Sequence, residues 1–227
     1  MDQKDVIAFE DDTRALVPGF RVAWKSESCS ERFLGLLLRP FNPDYMTKYI
    51  STFYPIVYFP SKDLYGSCPN CTFTVLAHER VHLLDTKEYP FRFRFSYLMP
   101  QIFALPFFLG ACTMTFFSLG VAVTLFVMGL LFLGPWPSPW RVYWEKRGYA
   151  MNMAVSYWIL GTIPAGLISS IKSQFLGWQY YRMSWSEKEI EHWISTTSES
   201  IRNGTITKDP VYGAVRWFMC SRGLVKL

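Results

Sequence analysis

Cysteine is scarce in this chain of 227 residues, at five in all and an odd number. That excludes a small scaffold stapled by disulfides. Histidine is scarcer, at three. Charge is low: 18% of residues are charged, and Lys and Arg outnumber Asp and Glu only by 23 to 18. A surplus so small and scattered gives no nucleic-acid surface, and no nucleic-acid partner is expected. The opening MDQKDVIAFEDD holds no apolar run, so no secretory signal is expected there. A reducing compartment is then the default, with the cysteines as thiols. Internal repeats, low-complexity tracts and coiled-coil heptads are also missing from the sequence.

Apolar and aromatic residues are abundant instead, at 50% and 18% of the chain. Such content excludes disorder, and the aromatic share fits a protein that meets lipid. Residues 1–30 are mixed and read as a strand or loop leading into a helix. SERFLGLLL at 30–38 reads as a short helix with Ser30 as N-cap, ended by Arg39-Pro40. TKYISTFYPIVYFP at 47–60 reads as one strand, placed at a sheet edge by Pro55. Residues 61–70 read as a loop. CTFTVLAHERVHLL at 71–84 has helical periodicity, with Phe73, Leu76, Ala77 and Leu84 on one face. Residues 186–200 read as an amphipathic helix with Ser186 as N-cap and Glu189 three positions on.

One feature dominates the middle of the chain. No charge lies between Arg94 and Arg141, so residues 95–140 form an uncharged run of 46. A membrane-spanning helix needs about 20 apolar residues. The run is too long for one pass and suits a two-pass hairpin broken near Leu119-Gly120. It closes on GPWPSPW at 134–140, a rigid aromatic exit suited to interface depth. A second uncharged stretch, 149–171, holds polar residues, Pro164 and two glycines. It reads as a core or interfacial helix broken near residues 161–166.

The residues with chemistry in them are His78-Glu79-Arg80-Val81-His82. On a helix, positions i and i+4 lie one turn apart on one face, so His78 and His82 can grip one Zn²⁺. Glu79 then stands beside the ion as general base. Two of the three histidines fall in this pentapeptide. In a shuffled chain of this composition such a match has a probability of about 0.001. A catalytic zinc needs a third protein ligand and an open position. Only one other histidine, His192, remains, so the other candidates are carboxylates, and Asp85 and Glu88 lie on the same helix or just past it, where they would rarely bend back. Glu145, in WEKRGYA at 144–150, begins a second helix and is the expected third ligand. The alternative for Glu145 is a surface carboxylate paired with Arg141 or Arg147.

A shared ion constrains topology. His82 precedes the apolar run and Glu145 follows it, while a bilayer core is about 30 Å thick. The run must therefore return to the side on which it began. The flanking charges agree: Lys87, Arg92 and Arg94 precede it, and Arg141, Lys146 and Arg147 follow it. By the positive-inside tendency both ends, and the zinc site, are expected on the cytoplasmic side.

TVLAHERVHLLD and WEKRGYAMNMAV resemble the two halves of a gluzincin metallopeptidase. More closely, the chain is similar, over roughly residues 33–185, to uncharacterised HExxH proteins of bacteria and tailed phages that carry an apolar hairpin between the two helices. The resemblance implies His78, His82 and Glu145 as ligands, Glu79 as the base, and Tyr149 as an outer partner or oxyanion donor. It implies an α+β, mainly helical fold: a zincin-like HExxH helix and a glutamate helix beside a small edge sheet. Residues 1–94 would carry the first helix, 95–140 the inserted hairpin, and 141–227 the glutamate helix and a helical C-terminal part.

The expected function is zinc-dependent hydrolysis of peptide bonds in a polypeptide substrate by a membrane-associated protein. Residues 95–140 would meet a lipid bilayer or an apolar protein surface. Two alternatives use the same residues. One is a non-catalytic phage virion or membrane assembly protein with a structural or vestigial zinc site, whose partners are other virion or membrane proteins. The other is a lysis or channel component in which the pentapeptide is accidental. Ile56–Phe59 is the strand expected to align an extended peptide. Cys68-Pro69-Asn70-Cys71 is a lone CxxC, read as a loop with two thiols or a local disulfide rather than a metal site.

Overall fold

The computed structural model describes residues 1–39, 42–133, 136–178 and 182–225. The fold is mainly helical, with one small sheet. The chain opens with α1 (Gln3–Leu16), not with a strand or loop. Its start is fixed by a reciprocal cap: the Asp2 carboxylate accepts from the Asp5 N–H, and Asp5 accepts from the Asp2 N–H. Only a narrow stripe, Val6, Phe9 and Thr13, is buried, which is why the polar composition of this stretch conceals the helix.

After β1 (Arg21–Trp24) comes α2 (Cys29–Leu38), capped by the Ser28 hydroxyl rather than by Ser30. Pro40 lies outside the described residues. The segment read as one strand is a hairpin of β2 (Ser51–Phe53) and β3 (Ile56–Phe59), turning through the cis Tyr54-Pro55 peptide. Strand order is β1-β3-β2, with β1 parallel and β2 antiparallel to β3. Ile56–Phe59 is therefore the central strand and β2 the edge. The proline sits in the turn, where its missing N–H takes nothing from the ladder. Residues 61–70 are not a loop: α3 (Lys62–Ser67) is capped by Ser61, and α4 (Pro69–Glu88) starts at once. Cys68, the N-cap of α4, is disulfide-bonded to Cys71.

Two long helices form the centre. α4 and α8 (Pro139–Leu160) each bury residues on all faces, among them Phe73, Leu76 and Val81 on α4 and Met151, Ala154 and Val155 on α8. A helix buried all round lacks a single apolar stripe. Several of the buried polar side chains of α4 are paired. Arg80, 1% exposed, ion-pairs with Asp12 of α1 and lies over the Phe9 ring. Asp85 and Asp209 both hold Arg147, at 3.0 and 3.1 Å. α8 ends at Gly161, whose φ of 76° suits the left-handed position of a helix end. α9 (Ala165–Leu176) follows, so the break expected near 161–166 is present. α10 (Glu187–Arg202) begins on Ser186, which accepts from the Glu189 N–H as expected. α11 (Pro210–Ser221) closes the core behind α4.

Between α4 and α8 the chain makes α5 (Pro90–Tyr97), α6 (Ala104–Met114) and α7 (Leu119–Phe132). Phe103 and Phe107 meet Phe132, and Phe108 meets Phe126, so α6 and α7 run antiparallel. Gly129 makes room for Phe108: a Cβ there would stand 2.6 Å from the ring. The turn falls at residues 115–118, just before the expected Leu119-Gly120. Among the described residues no single helix is long and apolar enough to cross a membrane. Of the aromatic exit at 134–140, residues 134 and 135 lie outside the described residues.

A buried polar network props up the sheet side of the fold. Lys25 and Glu31 are both fully buried, with Nζ 3.6 Å from Oε2. Lys25 also donates to the Tyr45 carbonyl (2.9 Å), while Glu31 accepts from the Tyr45 and Ser51 hydroxyls, each at 2.9 Å. Burial lowers the Lys25 pKa to about 8 against the raising effect of Glu31. Lys25→Met would leave the Glu31 carboxylate buried without its cation. That is expected to cost about 3–5 kcal/mol in denaturant unfolding, and replacing both partners by apolar residues should recover most of it.

Candidate metal centre

His78 and His82 lie one turn apart on α4 and point the same way, with their Nε2 atoms 3.0 Å apart. α8 packs across this face of α4, with Gly148 against His78 and Glu145 beside both imidazoles. The Glu145 Oε2 is 3.6 Å from His78 Nε2 and 4.0 Å from His82 Nε2. All three side chains are buried. A point in the plane of three atoms so spaced lies about 2.1 Å from each, which matches the bonds of about 2.0–2.2 Å that imidazole and carboxylate make to a zinc-sized ion. The donor set and its spacing fit a divalent first-row cation.

The electrostatics point the same way. Burial alone would raise the Glu145 pKa, but the hydrogen bond with His78, the charges of both histidines and the Tyr97 hydroxyl pull it down to about 2. Burial lowers His78, yet the Glu145 hydrogen bond and the charges of Glu79 and Glu145 outweigh it and the pKa rises. Burial, with His78 beside it, lowers His82 to about 3. A cation held here would bind neutral imidazoles and an ionised carboxylate, so protons and metal would compete for the same three side chains. His82 Nδ1 is buried and has no hydrogen-bond partner among the described residues. Asn152, one turn beyond Gly148 on α8, stands beside His78 and favours its charged form.

Three further residues shape the site, and two of them, Tyr97 and Thr52, have no signal in the sequence pattern. Tyr97, at the end of α5, donates its hydroxyl to Glu145 Oε1. Thr52, on the edge strand β2, donates to Glu79 Oε2 at 2.7 Å. Gly148 lets His78 come close, since a Cβ at that position would lie 2.5 Å from His78 Nε2. Gly148 has a faint signal, as glycine inside a helix is unfavourable by about 1 kcal/mol and needs a packing reason. Tyr149 packs its ring edge-on against His78 and Phe175, and it is Tyr97 that lines the cavity beside Glu145. Arg147 is committed to Asp85 and Asp209, so Glu145 is not a surface partner of that arginine.

The cluster forms the floor of a cavity of about 610 Å³. Its walls are β2 on one side and Phe93, Arg94, Tyr97 and Leu98 on the other, with Glu79 between. The surrounding walls strip water from Glu79 and raise its pKa, against the lowering effects of His78 and Thr52. No protein-family model, curated protein or solved structure matches this chain.

Proposed function

We propose that this protein is a zinc-dependent hydrolase of peptide bonds, gluzincin-like in its ligand set, held at a membrane through residues 95–140. The observation that carries this reading is the meeting of two imidazoles, one carboxylate and a separate carboxylate, Glu79, at the floor of one cavity. Two His and one Glu leave a zinc ion an open position, and bound zinc supplies Lewis-acid polarisation of a carbonyl and a more acidic water. Glu79 would take a proton from the attacking water and pass it to the departing amine nitrogen. Its raised pKa moves it toward the pH at which a base both accepts and returns a proton. Thr52 holds the carboxylate in place through one oxygen and leaves the other for the water. Tyr97 fixes Glu145 in the same manner. The outer edge of β2 has no strand partner among the described residues. It borders the cavity, so an extended polypeptide would pair there and lie across the ion.

The test joins metal content to cleavage. Purified protein is expected to hold one zinc per chain and to cleave an unfolded polypeptide, with cleavage lost to a chelator and restored by zinc. Protein without stoichiometric zinc would overturn the reading. Zinc at one per chain with no cleavage would favour the assembly role, in a virion or a membrane complex, over catalysis.

A further inference from the structure

The α6–α7 hairpin is too short to cross a bilayer and the right length to enter half of one. Helices of 11 and 14 residues are about 16 and 21 Å long. The hydrocarbon core is about 30 Å thick, or about 15 Å per leaflet. The hairpin carries no charge. Its tip presents Phe116 and Phe117, 86% and 82% exposed, and its flanks present Leu105, Leu109, Val123 and Leu131. The buried seam is made of small residues, Ala104, Ala111, Ala122 and Gly129. This hairpin therefore keeps little of its own apolar surface inside.

The base of the hairpin has a different chemistry. α5 is bent by 81° from the segment Gln101–Met114 that leads into the hairpin. If the hairpin stands along the bilayer normal, α5 lies flat on the surface. α5 has the composition for that position, with Phe91 and Phe95 exposed beside Arg92 and Arg94. Two other segments reach the same level. The Ser138 hydroxyl donates to the Met99 carbonyl (2.6 Å), and the Ser138 N–H donates to the Met183 carbonyl (3.1 Å). Around this junction Trp136, Trp140, Trp178 and Trp185 are all exposed. Arg92 lies 5.7 Å over the Trp140 ring, and Arg182 lies 5.7 and 6.0 Å over Trp178 and Trp185. Tryptophan belts mark headgroup depth, and the arginines among them complement anionic lipid.

The metal cavity borders this same junction. Arg94 and Leu98 at the end of α5 line it, and so does Arg141, which donates to the Tyr97 carbonyl (3.1 Å) and to Gln101 Oε1 (3.3 Å). On α5 the exposed rings of Phe91 and Phe95 and the cavity-lining Phe93, Arg94 and Tyr97 lie within one short helix.

We propose that the α6–α7 hairpin dips into a single leaflet of an anionic membrane, stopped by α5 and the Trp–Arg belt, so that the metal cavity faces polypeptide segments lying at the membrane surface. The substrate part rests on the hydrolytic reading above, and the membrane part does not. Full-length protein is expected to float with vesicles containing about one third phosphatidylserine and to bind pure phosphatidylcholine far less, at about 5-fold per arginine engaged. The double variant Phe116→Asp, Phe117→Asp should stay in the aqueous fraction while keeping wild-type metal content, because both rings are distant from the core. In a background with Cys29, Cys112 and Cys220 replaced by Ser, a fluorophore on Phe117→Cys should be quenched by lipids brominated deep in the chain, and the unlabelled thiol should be unreachable by a maleimide sealed inside the vesicle. Labelling of the tip from the lumen would overturn the single-leaflet placement. So would wild-type protein that ignores both vesicles, or that hides the hairpin in a stable oligomer without lipid. With zinc-loaded protein on vesicles, a peptide anchored in the bilayer should be cleaved at least about 10-fold faster than the same peptide free, from its local concentration. Equal rates would overturn the substrate assignment. Cleavage of neither peptide would overturn the hydrolytic reading and this substrate class with it, while flotation decides the membrane placement separately.

Discussion

Glu79→Gln is expected to keep the metal and lose hydrolysis, by a factor of about 10²–10⁴. The substitution preserves shape and can keep the hydrogen bond from Thr52, whose hydroxyl reaches Oε2 at 2.7 Å. It removes the only function the reading gives this side chain, which is to hold a proton in transit. The three ligand atoms belong to other residues, so zinc stoichiometry should be unchanged. The pH profile provides an independent check. Glu79 must be ionised to act, and burial raises its pKa. Wild-type activity should therefore fall on the acid side as Glu79 takes up a proton, and the variant should lack that limb. Activity and profile that survive the substitution would remove Glu79 from the chemistry.

The second large effect is at a residue with no side chain. Gly148→Ala is expected to weaken metal binding by about 10–100-fold, the size of effect that follows from disturbing the support of a ligand. A methyl group at this position would stand 2.5 Å from His78 Nε2. Either the imidazole turns away from its partners or α8 moves off α4, and both outcomes break the three-point geometry. Local preference runs the other way, since Ala favours a helix interior over Gly by about 1 kcal/mol. A helix that is slightly better and a site that is much worse is a signature that general destabilisation would not give. Isothermal titration with zinc, beside denaturant unfolding of the metal-free protein, separates the two. Wild-type zinc affinity in the variant would show that His78 is not held by this contact.

The residues of the site divide by how far apart they stand in the chain. His78, Glu79 and His82 are within one turn of one another, and helical periodicity alone puts both imidazoles on one face. Glu145 is legible because an ion with two histidine ligands needs a third, and because it begins a second helix that can cross the first, as Asp85 and Glu88 cannot. The return of the apolar run followed from the same demand, and the two antiparallel helices bring their ends together. The length of those helices was not legible. The uncharged run measures 46 residues, yet α6 and α7 use 25 of them, and the other described ones lie in the bent approach, the turn at 115–118 and the exit into the start of α8. The first helix was missed because its buried stripe is narrow. The strand at residues 47–60 was misread because a proline in a turn and a proline on an edge leave the same mark in a pattern.

The sequence by itself determined the pair of histidines with a carboxylate between them, the Ser186 cap of α10 and the charge-free stretch that comes back on itself. Each depends on residues within a turn or two of helix, or on a count of charges. Only the tertiary structure decided that Tyr97 would meet Glu145 across 48 positions, that Thr52 would meet Glu79 across 27, and that β2 rather than β3 would border the cavity. Those contacts depend on the path of the whole chain, which periodicity within one element does not encode.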